Sequence, residues 1–140
     1  LSILEVMEGD ATSIELTPAD KVLVDAPCSG LGTLSKKPDI KWKRDSDDIK
    51  NLVKTQTAIL DNAAKLVRPG GVLVYSTCTV EPDENQNIVR TFLEAHPEFS
   101  LENASHYVPN RVVDQAGVLA TYPHKHRMDG AFGARMTKQG

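Results

Sequence analysis

The sequence predicts an α/β fold built on parallel strands. Two short, continuous apolar runs, residues 21–26 and 72–77, have the composition of strands buried on both faces of a parallel sheet. Between them, residues 46–67 repeat apolar side chains at helical spacing. Alternating strands and helices are typical of the α/β class. At 140 residues, the chain is long enough to form one domain with its own core.

The first part of the chain predicts one strand and its connections. Residues 2–7 have the pattern of a strand, residues 9–12 that of a turn, and residues 13–20 that of a polar connection with at most a short helix. Residues 27–44, after the first apolar run, predict a long loop. Leu1 is not Met, and the chain opens inside the predicted strand. Both observations favour a fragment of a longer protein.

The helix between the two apolar runs has clear signals at both ends. Asp45 or Ser46 can cap its first turn, where the carboxylates of Asp47 and Asp48 favour the helix dipole. Pro69-Gly70-Gly71 is expected to end it. Its predicted buried face comprises Ile49, Leu52, Val53, Gln56, Ile59, Leu60, Ala63 and either Leu66 or Val67.

The second half of the chain predicts a further helix and three short strands. Pro82 suits the first turn of the helix, and Pro97 stops it. The remaining segments are a strand at residues 99–101, a polar irregular stretch at 102–116, and an antiparallel pair formed by 118–122 and 131–136. The predicted order is therefore β, β, α, β, α, β, β, β.

The composition excludes several classes of protein. Residues are 40% hydrophobic and 25% charged, as in an ordinary globular domain. No apolar run approaches the roughly 20 residues of a membrane span, and no signal peptide opens the chain. Two cysteines without Cys-x-x-Cys spacing favour a reducing compartment, so we expect a cytoplasmic protein. A Cys28–Cys78 disulfide remains an alternative.

Positive charge is concentrated locally, although the net charge is -3. One basic cluster surrounds Trp42, and residues 124–127 form a second. Each is suited to contact phosphates, or is simply a solvated basic loop. The first cluster comprises Lys36, Lys37, Lys41, Lys43 and Arg44.

Each cysteine stands just past the end of one apolar run. Cys28 follows residues 21–26, and Cys78 follows residues 72–77. In an open parallel sheet, ligands bind outside the carboxyl ends of the strands. If the two strands are neighbours, both thiols and the carboxylate of Asp25 face one cleft, which suits covalent chemistry.

Four segments together resemble the Sun family of RNA cytosine-5 methyltransferases. Two of them contain the cysteines, and all four occur in the family's order over nearly the whole chain. The last departs from the family's Asp-Gly-Phe-Phe-x-Ala stretch at Ala131. The segments are Gly9-Asp10-Ala11; Asp25 to Gly30 with Lys37 to Trp42; Tyr75 to Thr79 with Glu81 to Asn85; and Asp129 to Ala134.

The resemblance implies a covalent mechanism at cytosine. Cys78 corresponds to the nucleophile that adds to carbon-6 of the base, and Cys28 to the cysteine used in product release. Asp25 matches a carboxyl group that stabilises the adduct near N3 and the exocyclic amine, provided it carries or shares a proton. The alternative for both cysteines is a structural thiol at a strand end.

The resemblance also implies S-adenosylmethionine as the cofactor. Asp10 corresponds to a residue at the adenine end, and Asp25 lies near the methionine end as well as the base. Asp10 beside Gly9 is equally suited to forming a turn. The chain contains no counterpart of the family's glycine-rich cofactor turn. We therefore expect the chain alone to bind the cofactor weakly or not at all.

On this basis, residues 1–140 are expected to be the C-terminal part of a class I methyltransferase domain. The fold would be an incomplete Rossmann-like one, the second half of the sheet with its flanking helices, lacking the first two strands. The family's strand order is 3-2-1-4-5-7-6, with residues 2–7 as strand three. Without strands one and two, residues 2–7 would rearrange or pair with another chain, since open strand edges invite pairing.

RNA is the implied substrate, ribosomal RNA ahead of transfer RNA. The loop from Ser35 would contact its backbone through basic side chains, and Trp42 would either join that contact or pack ordinarily. A non-catalytic RNA-binding module on the same scaffold is the main alternative, and a thiol redox protein is a weaker one. The histidines and cysteines have no recognised metal-binding spacing. The predicted RNA-contacting residues are Lys37, Lys41, Lys43 and Arg44.

Overall fold

The computed structural model describes residues 3–43 and 45–140, without the side chain of Lys43. The described part contains five strands, two longer helices and two single-turn helices, besides short 3-10 turns. The strands are β1 Ala19–Asp25, β2 Val67–Thr77, β3 Phe99–Glu102, β4 Leu119–Thr121 and β5 Ala131–Lys138. The helices are α1 Ile40–Lys43, α2 Ser46–Lys65, α3 Gln86–Ala95 and α4 Pro123–His126.

The five strands form one mixed sheet. Four of them follow the order β1-β2-β5-β3, and β4 pairs with β5 outside this order. β1 is parallel to β2, and β5 lies antiparallel on the other side of β2. β3 and β4 both pair with β5, at different positions along it. The predicted α/β class is confirmed, and the order agrees with the 4-5-7-6 half of the family's sheet.

The core lies between the sheet and the helices α2 and α3. Leu60 of α2, Leu73 and Tyr75 of β2, and Met136 of β5 are completely buried. Burial of such side chains stabilises a fold by roughly 1.5–3 kcal/mol each before entropy is counted. The predicted face of α2 includes Leu60, so its spacing identified the side that packs on the sheet.

Helix α2 begins as predicted but ends earlier. The side chain of Asp45 accepts hydrogen bonds from the backbone N–H groups of Asp47 and Asp48, which forms a capping box. The predicted end at Pro69-Gly70-Gly71 is wrong, because the helix stops at Lys65.

The residues after α2 belong to β2 instead. Strand pairing begins at Val67 opposite Ala19 and resumes at Val72 opposite Lys21, so residues 68–71 are accommodated as an irregularity in the strand. Lys138 Nζ donates to the carbonyl oxygens of Ala64 and Val67, at 3.0 Å each. This satisfies backbone acceptors at the point where the helix gives way to the strand.

The N-terminal segment differs from its prediction. Residues 4–10 have no regular secondary structure, and residue 2 of the predicted strand lies outside the described residues. Ile3 is 86% and Val6 95% exposed. A strand needs a hydrogen-bonded neighbour, and no described segment pairs with residues 3–7. Pairing of this segment with another chain stays a prediction.

None of the helices in the described part of the chain is long and apolar enough to cross a membrane.

Candidate active site

The two cysteines meet at the carboxyl ends of β1 and β2. Their strands are parallel neighbours, with Asp25 opposite Ser76 in the register. The Sγ atoms of Cys28 and Cys78 lie 3.1 Å apart, and the backbone N–H of Cys78 donates to Cys28 Sγ at 3.3 Å. Both thiols are free. The structure thus brings the two predicted side chains to one edge of the sheet.

The two thiols have different environments. Cys78 is exposed, whereas Cys28 is half-buried. Burial, followed by the hydrogen bond with the Cys78 thiol, raises the pKa of Cys28 to about 11. Cys28 is therefore protonated at neutral pH, and Cys78 is the more accessible sulfur for attack on a substrate.

Alkylation should distinguish the two thiols. With iodoacetamide near pH 7.5, we expect Cys78 to react at least about tenfold faster than Cys28. The Cys28 rate should climb with pH until about pH 11, because only its thiolate reacts. The fold favours the neutral thiol of Cys28, so the free energy of unfolding should decrease as the pH rises from 9.0, the ordinary pKa of the thiol, to about 11. Peptide mass spectrometry of timed samples measures both rates, and a Cys28 profile that levels off below pH 8 would contradict this assignment.

Asp25 lies at the same edge as the thiols. It is the last residue of β1 and is exposed, and Ser76 Oγ donates to its Oδ1 at 3.1 Å. The carboxylate therefore faces solvent at this sheet edge and not the core. Its second oxygen has no hydrogen-bond partner within the described residues, so it is available to a ligand.

Asp10 is not joined to this cluster by any contact in the described residues. Its Oδ1 accepts from Thr12 N at 2.9 Å and Thr12 Oγ1 at 2.8 Å, closing its own turn. The hydrogen bond from the Thr12 backbone lowers the pKa of Asp10. Asn62 Nδ2 holds this turn against α2 by donating to the carbonyl oxygens of Ala11 and Ile14. The turn-forming alternative accounts for the contacts that Asp10 makes here.

The predicted RNA-contacting loop is exposed. Lys41 Nζ lies 5.2 Å from the centroid of the Trp42 ring, and Trp42 is 82% exposed, so it is not an ordinary packing residue here. Lys37 is exposed as well. The Lys43 side chain and Arg44 lie outside the described residues.

Among the described side chains of this loop, one basic residue is paired. Lys36 Nζ forms an ion pair with Asp129 Oδ2 at 2.6 Å, and this contact lowers the pKa of Asp129. The pair links the loop to the segment before β5.

Gly32 joins the cysteine loops to the same segment. Its N–H donates to the carbonyl oxygen of Cys78 at 3.0 Å, and its own carbonyl accepts from Gly130 N at 2.8 Å. A Cβ on Gly32 would collide with backbone atoms of both partners. The three segments that contain Gly32, Cys78 and Gly130, each part of or next to a family-like motif, are therefore in direct backbone contact.

A buried polar network beneath the thiols was not predicted from the sequence. Ser29, Thr79 and Glu84 are all essentially inaccessible to solvent. Gln56, which belongs to the predicted buried face of α2, joins them because its Nε2 donates to Glu84 Oε1. A polar residue among the apolar positions of that face was the signal that could have revealed the network.

Among the described residues, no group of three or more His, Cys, Asp or Glu side chains is arranged to hold a metal ion.

Comparison with known sequences identifies the family. Residues 1–137 match the family model described as 16S rRNA methyltransferase RsmB/F. The chain is 38% identical to the probable ribosomal RNA small subunit methyltransferase B of Synechocystis sp., covering 99% of this chain and 32% of that protein. The corresponding Bacillus subtilis protein is 42% identical, with coverage of 86% and 28%. The chain spans about a third of the length of these relatives.

Solved structures agree with this result. The structure of NSun6 from Pyrococcus horikoshii with SFG is 35% identical, with a TM-score of 0.75, covering 89% of this chain and 31% of that one. A methyltransferase homolog protein from the same organism is 29% identical, with a TM-score of 0.71, covering 87% and 40%. The sheet and its flanking helices are thus part of a Rossmann-like methyltransferase fold, and the chain belongs to the 16S rRNA methyltransferase RsmB/F family.

Proposed function

We propose that this chain is the catalytic half of an RNA methyltransferase. The enzyme would transfer a methyl group from S-adenosylmethionine to carbon-5 of cytosine in ribosomal RNA. The single observation that carries the proposal is the pair of thiols, 3.1 Å apart at the carboxyl ends of two parallel strands. This edge is where α/β sheets bind ligands.

The thiol pair supports a covalent route. Carbon-5 of cytosine is a poor nucleophile, so the thiolate of Cys78 first adds to carbon-6 and forms a sulfur–carbon bond. The electron pair of the C5–C6 double bond moves toward carbon-5, which would then take the methyl group as the bond between that group and the sulfonium sulfur of its donor breaks. A base then takes the carbon-5 proton, the electron pair of that C–H bond restores the C5–C6 double bond, and the bond between Cys78 Sγ and carbon-6 breaks so that Cys78 leaves as a thiolate.

Asp25 and Cys28 fit the supporting roles. The exposed carboxyl group of Asp25 can share a proton with N3 of the base and so stabilise the adduct. Cys28 touches the Cys78 sulfur, so it is placed to assist when that sulfur leaves. The raised pKa of Cys28 keeps its thiol protonated at neutral pH, so this thiol can donate a hydrogen bond to a Cys78 thiolate.

The basic loop supports RNA as the substrate. Lys37, Lys41 and the exposed ring of Trp42 suit contacts with phosphates and an unstacked base. A base must leave its stack to reach two thiols at a sheet edge. We place ribosomal RNA ahead of transfer RNA because of the family, and we place the enzyme in the cytoplasm, where thiols stay reduced.

The residues present fit only part of a cofactor site. Asp25 lies at the same sheet edge as the thiols, which suits the methyl-donating end of S-adenosylmethionine, and that molecule supplies the methyl group when bound. Asp10 would contact the adenine end, but it makes no contact with Asp25 or the thiols in the described residues. The chain also contains no glycine-rich cofactor turn.

We therefore expect the 140-residue chain alone to bind S-adenosylmethionine weakly or not at all. Isothermal titration calorimetry should give no saturable heat at cofactor concentrations up to about 1 mM, the upper end of ordinary enzyme–ligand affinities. Circular dichroism of the same sample serves as the control for folding. Tight binding by this chain would contradict the expectation.

A methyl-transfer assay tests the proposed function. The full-length protein is incubated with labelled S-adenosylmethionine and with ribosomal or transfer RNA, and the RNA is digested to nucleosides. The proposal expects label in 5-methylcytidine from ribosomal RNA. Binding of RNA without any methyl transfer would support the alternative of a non-catalytic module, and label in another nucleoside would overturn the cytosine-5 chemistry.

A further inference from the structure

Glu84 is a fully buried carboxylate beneath the two thiols, with 0% exposure. None of the ion pairs in the described residues includes it. A carboxylate in such a place is costly unless several hydrogen bonds satisfy it. Three donors do so: Ser29 N at 2.8 Å, Ser29 Oγ at 2.5 Å and Gln56 Nε2 at 3.0 Å.

These hydrogen bonds hold both neighbours of Cys28. Ser29 follows Cys28 and is bound to Glu84 through its backbone and its side chain. Pro27 precedes Cys28, and its carbonyl oxygen accepts from Gln56 Nε2 at 2.9 Å. The same amide nitrogen donates to Glu84, so Glu84 fixes the peptide on both sides of this cysteine.

The next residue, Asn85, does the same for Cys78. Its Oδ1 accepts from Thr77 Oγ1 at 2.5 Å, and its Nδ2 donates to the Thr79 carbonyl oxygen at 2.9 Å. Thr77 and Thr79 are the two neighbours of Cys78 in the chain. Two consecutive residues therefore each hold one cysteine.

A side-chain contact also joins the two halves directly. Ser29 Oγ lies 2.8 Å from Thr79 Oγ1, which connects the residue after Cys28 to the residue after Cys78. Tyr75 Oη donates to the Glu84 carbonyl oxygen at 2.8 Å, which ties this turn to β2. The arrangement is anchored to the sheet and to α2, not only to the two loops.

We propose that Glu84 and Asn85 are positioning residues that together set the distance between the Cys28 and Cys78 sulfur atoms. The side-chain hydrogen bonds that both make in the described residues go to atoms other than the two sulfurs, so both act through the peptides next to the cysteines. The catalytic value of that distance rests on the proposed function, but the distance itself does not. Misplacement of a reacting group by about 1 Å can cost about 10²-fold in rate.

The first test compares Glu84→Ala with Glu84→Gln in the 140-residue chain. Alanine leaves Ser29 N–H and the Gln56 amide without their acceptor. Glutamine keeps one acceptor oxygen, and its amide can donate to Ser29 Oγ, which then donates to Thr79. Hydrogen-bond geometry should therefore survive in the glutamine variant.

The readout is bridging of the two thiols by dibromobimane, which becomes fluorescent when both bromines are displaced by thiols. We expect Glu84→Ala to slow bridging by at least about tenfold, and Glu84→Gln by less than about threefold. Single alkylation of Cys78 by monobromobimane should change by less than about threefold in both variants, since Cys78 is exposed. Unchanged bridging in Glu84→Ala, or equal loss in both variants, would overturn the proposal.

Two further variants separate positioning from stability. Ser29→Ala removes one hydroxyl from the network and is expected to slow bridging about threefold even if Glu84→Ala does not fold. Asn62→Ala removes a buried amide from α2, the helix that also carries Gln56, but at the end that contacts the Asp10 turn. This variant should leave the bridging rate unchanged although it loses as much stability as Ser29→Ala or more. Unchanged bridging in Ser29→Ala, or slowed bridging in Asn62→Ala, would contradict the inference. Absence of methyl transfer by the full-length wild-type protein would refute the proposed function while leaving these results intact.

Discussion

Replacement of Cys78 by alanine in the full-length protein is expected to lower methyl transfer to RNA by at least about 10³-fold. The proposed route needs a sulfur–carbon bond before carbon-5 can accept a methyl group, and alanine cannot form that bond. Cys78→Ser should be nearly as inactive, because a hydroxyl is a much weaker nucleophile than a thiolate. Label incorporated into RNA from S-adenosylmethionine measures the loss.

Folding should not account for this loss. Cys78 is exposed, so its truncation leaves no cavity in the core, and the unfolding midpoint is expected to stay within a few degrees of the wild type. Cys28→Ala provides a matched comparison at the other thiol. If Cys28 acts in release, that variant should still form the bond to RNA and accumulate a covalent complex on a denaturing gel. Wild-type activity in Cys78→Ala would refute the covalent mechanism.

Gly32→Ala is expected to have the largest effect on stability. The added Cβ would lie 2.7 Å from the Cys78 carbonyl oxygen and would also collide with the Gly130 carbonyl oxygen. Both are backbone atoms that cannot rotate away, and Gly32 is itself hydrogen-bonded to both residues. We expect the free energy of unfolding to fall by about 3 kcal/mol or more. Urea denaturation of the variant and the wild type measures the difference.

Gly133→Ala is the matched control for this substitution. A Cβ at Gly133 would meet only the Leu119 side chain, at the ordinary contact distance of 3.7 Å. Its expected effect is a change of less than about 1 kcal/mol, with a small gain allowed by the reduced entropy of the unfolded chain. Equal stability of both variants would show that the three motif segments do not need their close backbone approach.

The meeting of the two cysteines could be predicted because it depends on a rule of topology. Residues 21–26 and 72–77 have the composition of buried parallel strands, and if such strands are neighbours their carboxyl ends share one edge of a sheet. Asp45 was a predictable helix cap for a similar reason, since capping depends on local chemistry. Local patterns and strand direction therefore sufficed for these features.

Other features depended on partners that are distant in the sequence. Residues 2–7 have a strand-like composition, but no described segment offers them a hydrogen-bonded neighbour. Pro69-Gly70-Gly71 has the composition of a helix end, yet it lies inside β2 because Val67 and Val72 on either side of it pair with β1. From the sequence alone Glu84 resembles a surface carboxylate, because its hydrogen-bond partners Ser29 and Gln56 are far away in the chain. Local preference is overridden by tertiary contacts in the second and third cases, and by the lack of a pairing partner in the first.

The open side of β1 has a consequence for how this chain behaves in solution. Within the part of the chain that the structure describes, β1 pairs with β2 alone, and Leu23 in its middle is 69% exposed. Strands of this composition normally have both faces covered, and water in contact with apolar side chains carries a free-energy penalty. A strand from a second copy would satisfy the open backbone groups of this edge, and contact between copies at Leu23 would cover the apolar face, so the isolated chain should self-associate as its concentration rises.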